Sequence, residues 1–278
     1  MTEAIEKSET NLYTYERYPF YSEVLGKEVH WGRLRPRGSR EIRGTLYLLH
    51  GGSGDDRQFL QLQILDQVPS CGFQIVLPFI GGSFLREHST DACRSYSRYF
   101  LEEIVPMAER GTATDASTRV IGGLSMGGQA ALNLFFRTPE SFAAVGAHFP
   151  TLIGFNPWDE RDSERYRARM GVDSQSFAIL AGDLRSAFDD RADFSSHDPI
   201  ELCRKVSPEK VSGRKIYFDV GDQDAFGLQE GARILSRALG ERGIPHTFEE
   251  IAGGKHDAEF VHRRFASLMG QVLSQPSA

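Results

Sequence analysis

The chain has 278 residues, of which 40% are hydrophobic and 25% charged, with a formal net charge of −6. A chain of this length can bury a substantial core without disulfide staples, as one large domain or two small ones. No apolar run approaches the roughly 18 residues of a membrane helix, the acidic balance offers no footprint for nucleic acid, and three cysteines without paired spacing (Cys71, Cys93, Cys203) disfavour a disulfide framework or a zinc site.

The first twenty residues lack the apolar stretch of a secretory signal, so a cytoplasmic location is expected. Arginine supplies 26 of the 32 basic residues, but the skew is spread along the chain and reads as a base-composition bias. Residues 1–12 are polar and expected to be poorly ordered. From Tyr13 to about Pro36, β-rich segments surround Leu25-Gly26-Lys27-Glu28, which predicts two antiparallel strands and a turn. Short apolar runs follow at Thr45–His50, Phe73–Pro78, Arg119–Leu124, Ala143–His148, Lys215–Val220 and Thr247–Ile251.

Helical spacing appears between the runs, over Cys93 to about Arg110, Gln129–Arg137, Leu228–Arg242 and Asp257–Leu273. Continuous apolar strands alternating with helices predict a parallel sheet covered on both faces, an α/β doubly wound architecture. About Thr151 to Val206 breaks this rhythm. It is charged, irregular and too long for a structureless loop, so it must carry helices of its own.

Gly123-Leu124-Ser125-Met126-Gly127 matches G-x-S-x-G. The pattern alone is weak in a chain with 28 glycines, but here it follows an apolar strand and opens a helix, the setting of a nucleophile elbow. Serine needs a base to take its proton. Among eight histidines, His256 stands out because it lies in a glycine-rich loop between a strand and the last helix. An acid must orient that imidazole. Asp219 falls inside a strand, and of the two carboxylates beyond it Asp224 is favoured over Asp222 by position. One oxyanion donor is expected from the amide of Met126. The other is expected from the loop His50-Gly51-Gly52-Ser53-Gly54, at Gly52 with Ser53 as the alternative.

Leu48-Leu49-His50-Gly51-Gly52-Ser53-Gly54, Gly123-Leu124-Ser125-Met126-Gly127-Gly128, Gly221-Asp222-Gln223-Asp224 and Gly254-Lys255-His256-Asp257 together resemble the putative esterase, or esterase D-like, family of α/β-hydrolases. That family includes feruloyl, tributyrin-type and siderophore esterases and mycolyltransferases. The resemblance runs from about Phe20 to Leu273 and is weak across 151–206. It implies an α/β-hydrolase fold, Ser125, Asp224 and His256 as a triad, and Gly52 and Met126 as oxyanion donors. Two departures stand out. Gln129-Ala130 replaces the His-Gly that formylglutathione hydrolases typically carry after S-M-G-G, and Pro78-Phe79-Ile80-Gly81 replaces a common Pro-Asp-Gly.

The expectation is a serine carboxylesterase for a small-molecule ester, in a single domain over 13–278 with a helical cap inserted at about 151–206. Phe79, Phe84 and Phe149 follow strand ends and are candidates to line the acyl site. Arg161, Arg165, Arg167 and Arg169 either attract an acidic substrate or form a solvated helix face, the second being favoured. The rivals are an acyltransferase or thioesterase using the same triad and, from another class, a non-catalytic binding module. Without H-E-x-x-H, G-x-x-x-x-G-K-[ST] or G-x-G-x-x-G, no cofactor or metal is expected, and neither is a nucleic-acid or membrane partner. Natural substrate and oligomeric state stay open.

Overall fold

The computed structural model describes residues 3–38, 41–68, 72–88 and 90–274. Cys71, one of the three cysteines, lies outside them, whereas Cys93 and Cys203 are free thiols.

The described residues form one nine-stranded sheet in the order β1-β2-β3-β5-β4-β6-β7-β8-β9. Its antiparallel edge consists of β1 (Glu6–Glu9), β2 (Tyr13–Ser22) and β3 (Lys27–Pro36). The remaining strands run parallel to one another: β4 (Gly44–Leu49), β5 (Phe73–Pro78), β6 (Arg119–Leu124), β7 (Ala144–His148), β8 (Lys215–Gly221) and β9 (Thr247–Ile251). This is the α/β-hydrolase fold. Every residue of β4, β5 and β7 is buried, which is why these strands read as unbroken apolar runs and not as alternating ones.

Two edge features differ from expectation. The hairpin turn lies between Ser22 and Lys27, which pair directly, so it starts earlier than Leu25 and closes through Gly26 at φ 63°. Within the first dozen residues, expected to be poorly ordered, Glu6–Glu9 pairs with β2 through backbone bonds while its four side chains stay exposed. Side-chain chemistry carries no signal for such a strand.

Helices cover both faces. After β4 comes α1 (Gln58–Gln61), and after β5 the chain passes through α2 (Tyr96–Arg98), a π-helical turn (Tyr99–Ile104) and α3 (Val105–Glu109). The single helix expected over this stretch is thus interrupted. Pro106 has no N–H to give and its ring crowds the preceding turn, and the wider π turn absorbs the mismatch. The helix α4 (Met126–Arg137) joins β6 to β7, α10 (Gln229–Glu241) joins β8 to β9, and α11 (Ala258–Leu273) closes the described chain.

Between β7 and β8 lie α5 (Glu160–Met170), α6 (Ser174–Ala187), α7 (Arg191–His197), α8 (Pro199–Lys205) and α9 (Pro208–Val211). The aspartates that made this stretch look irregular are helix N-caps. Asp159, Asp173, Asp190 and Asp198 each accept a backbone N–H in the first turn of α5, α6, α7 and α8 respectively, which satisfies donors a helix start leaves open. Tyr166, Leu184, Phe188 and Phe194 bury the inner faces. No helix among the described residues is long and apolar enough to cross a membrane.

Candidate active site

Ser125 sits between β6 and α4 at φ 53° and ψ −120°, a backbone conformation costly for any residue with a side chain. Three hydrogen bonds hold it there. Its N–H donates to the His148 carbonyl at 2.9 Å, and its own carbonyl accepts the N–H groups of Gln129 at 3.0 Å and Thr151 at 3.1 Å. The glycine at 127 is required by close approach: a Cβ there would lie 2.0 Å from the Leu49 carbonyl oxygen and 2.5 Å from that of His50. The elbow therefore packs directly on the end of β4, where the loop holding Gly52 begins.

The loops after β8 and β9 deliver the other two groups. The Ser125 hydroxyl donates to His256 Nε2 at 2.9 Å, and His256 Nδ1–H donates to Asp224 Oδ2 at 2.8 Å. Asp224 is buried, and its second oxygen accepts the N–H of Phe226 at 2.9 Å, so both oxygens are occupied. Asp222 is exposed and accepts the N–H of Gly253 at 2.7 Å, tying the acid loop to the histidine loop. That tie needs Gly221, where a Cβ would fall 2.0 Å from the Gly254 carbonyl oxygen.

The loop after β4 is fixed by neutral and ionic contacts. Gly51 N–H donates to Gln58 Oε1 at 2.7 Å. His50 is buried, accepts the N–H of Ile80 on Nε2 at 3.0 Å and directs Nδ1–H to the Gly51 carbonyl at 2.9 Å. Burial pushes its pKa down, in keeping with a neutral ring. Farther along, buried Asp56 is bound by both Nε and Nη2 of Arg17 from β2, at 2.6 and 3.0 Å. Gly52 itself is exposed at the mouth of the site, and Met126 is the first residue of α4, where a helix leaves its N–H without an intrahelical acceptor.

A small cavity of about 40 Å³ opens over Ser125. Gly52, Met126, Phe84, Phe226 and Leu228 border it from the core, and Ile179, Leu180 and Asp183 of α6 border it from the inserted segment. Of the three phenylalanines considered, Phe84 is on this wall. Phe149 packs against His256 at a tilt, with ring centroids 4.2 Å apart, and Phe79 lies against His50 at 5.8 Å. The four arginines of α5 face elsewhere. Arg161 and Arg165 are exposed, Arg167 donates to Ser174 and Arg169 pairs with Glu230.

Sequence reasoning missed the α6 residues and Phe226. The latter meets the His256 ring edge-on at 4.8 Å, and its carbonyl accepts the hydroxyl of buried Tyr166 from α5 at 2.8 Å. It also missed a second buried pair, His148 Nδ1 and Asp219 Oδ1 at 2.6 Å, beneath Phe149. Among the described residues no group of three or more His, Cys, Asp or Glu side chains is disposed to hold a metal ion.

Residues 24–270 match the family model described as putative esterase. An acetyl esterase from Caldicellulosiruptor saccharolyticus is 29% identical over 234 residues, covering 80% of each chain. An esterase from Mycobacterium tuberculosis is 25% identical over 260 residues, which are 85% of this chain and 54% of that protein. Among solved structures, an S-formylglutathione hydrolase from Agrobacterium tumefaciens superposes with a TM-score of 0.75 over 98% of this chain and all of that one, at 17% identity.

Proposed function

The chain belongs to the putative esterase family, and from that premise we propose that it is a serine carboxylesterase working through an acyl-serine intermediate on a small ester. One observation carries the reading: a serine held in a strained elbow lies 2.9 Å from an imidazole whose other nitrogen lies 2.8 Å from a buried carboxylate.

The chemistry follows from those contacts. As Ser125 Oγ attacks the acyl carbon, His256 Nε2 takes its proton and Asp224 stabilises the imidazolium and keeps the ring oriented. The carbonyl oxygen gains negative charge and is met, on this reading, by the backbone amides of Gly52 and Met126. The imidazolium then hands its proton to the departing alcohol. A water deprotonated by the same nitrogen attacks the acyl-serine and releases the acid. On this reading the helices between β7 and β8 form a cap whose α6 face completes the pocket.

The test combines p-nitrophenyl ester hydrolysis with labelling by a fluorophosphonate probe. Wild type is expected to turn over the ester and take up the label at Ser125. Ser125→Ala should lose label and at least 10³-fold in kcat while keeping its melting temperature. Turnover near wild type in that variant overturns the assignment, and absence of labelling in wild type favours a binding module on the same fold.

A further inference from the structure

We infer that Asp183, supplied by α6 of the inserted segment, selects esters bearing a positive or hydrogen-bond-donating group near the carbonyl and rejects esters bearing a negative charge there. The inference rests on the esterase reading, since it gives Asp183 a role only if an ester carbonyl lies between Ser125 and Gly52.

Position comes first. Asp183 Oδ2 lies 3.6 Å from where a Cβ on Gly52 would stand, so its carboxylate reaches the loop expected to bind the oxyanion. Ile179 is one helical turn earlier on the same face of α6, and both border the cavity over Ser125. Among the described residues that line the cavity, the others are apolar or neutral and Asp183 carries the one charge.

Its lack of a partner comes second. Among the described residues, no hydrogen bond or ion pair is made by Asp183. The one cationic side chain of α6, Arg185, donates to the Pro157 carbonyl at 2.9 and 2.6 Å. Asp183 is exposed at the cavity mouth, and partial desolvation there pushes its carboxyl up with no cation to hold it down. A carboxylate beside an oxyanion site opposes the charge that develops in the transition state. A substrate ammonium bound at Asp183 cancels that opposition, a hydroxyl donated to it weakens it, and a substrate carboxylate adds to it.

The experiment uses the full chain and two matched ester series. In one, aryl esters carry acyl chains of equal length ending in methyl, hydroxyl, ammonium or carboxylate. In the other, acetylcholine is compared with its neutral isostere 3,3-dimethylbutyl acetate. The readout is the ratio of kcat/KM for each charged or hydroxylated ester to its neutral partner, which a purely structural loss would not move. Wild type should favour cation or hydroxyl over neutral, and neutral over anion. Asp183→Asn should shift the charged ratios toward unity by roughly tenfold, the size expected of one charge at close range in a solvent-open site. Asp183→Glu should keep the wild-type order. If the neutral esters are hydrolysed, Ser125 is labelled, and the ratios of Asp183→Asn equal those of wild type in both series, the inference fails while the esterase reading stands. If no ester is hydrolysed and Ser125 takes no label, the esterase reading fails and takes the inference with it.

Discussion

The ring of Phe149 packs at a tilt of 42° against the imidazole of His256, centroids 4.2 Å apart, while its backbone is held at φ 34° and its N–H donates to the Asp219 carbonyl at 2.8 Å. His148 packs against the same ring, at 4.1 Å. The ring is thus a spacer between a fully buried His–Asp pair in the core and the histidine that reaches Ser125. Phe149→Leu keeps apolar bulk but removes the aromatic ring that His256 packs against. About 1 kcal/mol of lost ring–ring contact predicts a fall in kcat of roughly five- to tenfold. KM should hold, because Phe149 borders His256 and not the cavity wall. Steady-state kinetics on one p-nitrophenyl ester separates the two, and a change in KM alone would contradict the spacer role.

The two carboxylates of the acid loop make different contacts, so their amides should have different effects. In Asp224→Asn the side chain offers His256 the wrong partner, and kcat should fall by about 10⁴. Asp222→Asn keeps an acceptor for the Gly253 N–H, and activity should stay within about threefold of wild type. Equal losses in the two variants would undo the assignment of the acid.

Legibility follows the range of the interactions. Strands β4 to β8 are readable because burial on both faces writes a mostly apolar run. Ser125 and His256 are singled out by neighbours in sequence, namely the glycines and the strand and helix on either side. Asp224 and Asp222 cannot be separated so cleanly, since the difference is made some thirty residues away, where the Gly253 N–H donates to Asp222 and His256 Nδ1–H to Asp224. The helices between β7 and β8 are hidden by mixed charge and short length, although their N-terminal aspartates at 159, 173, 190 and 198 are a usable local signal. The pocket wall is the least legible: Asp183 meets Gly52 only through tertiary packing.

Asp198 caps α8 by accepting the Ile200 N–H at 3.0 Å, yet it is buried, and desolvation pushes its pKa up to about 7. The sign follows from linkage. In the unfolded chain this carboxyl ionises near 3.8, so between about 4 and 7 the folded state binds more protons and loses stability as pH rises. Above about 7 the buried carboxylate carries its full cost. Asn retains the cap without the charge, so Asp198→Asn should stabilise the protein at pH 8 by on the order of 2 kcal/mol, with the advantage shrinking toward pH 4. Urea unfolding at the two pH values checks this; a constant difference would mean that the carboxyl does not titrate in the fold.

Arg86 fastens the inserted segment to the loop after β5. Arg86 is only 5% exposed, and its guanidinium donates to the Ala187 carbonyl at 3.0 Å and pairs with Asp189 at 2.6 Å and Asp193 at 2.7 Å. Arg94 and His88 converge on the same Asp189, at 2.8 and 3.1 Å, and the hydrogen bonds from Arg86 and Arg94 hold that carboxyl below its usual range. The bonded carbonyl ends α6, the helix that brings Ile179 and Asp183 to the cavity. Arg86→Met keeps the stem and removes the fork, leaving the Ala187 carbonyl and Asp193 short of donors. The expected outcome is a Tm lower by about 5 °C, with limited proteolysis concentrating between residues 174 and 197. KM for the p-nitrophenyl ester should rise more than kcat falls, because the pocket wall loosens while the contacts among Ser125, His256 and Asp224 remain. Arg86→Lys, which restores charge without the fork, should recover only part of the loss. A kcat defect with KM and cleavage pattern unchanged would show that α6 does not depend on this clamp.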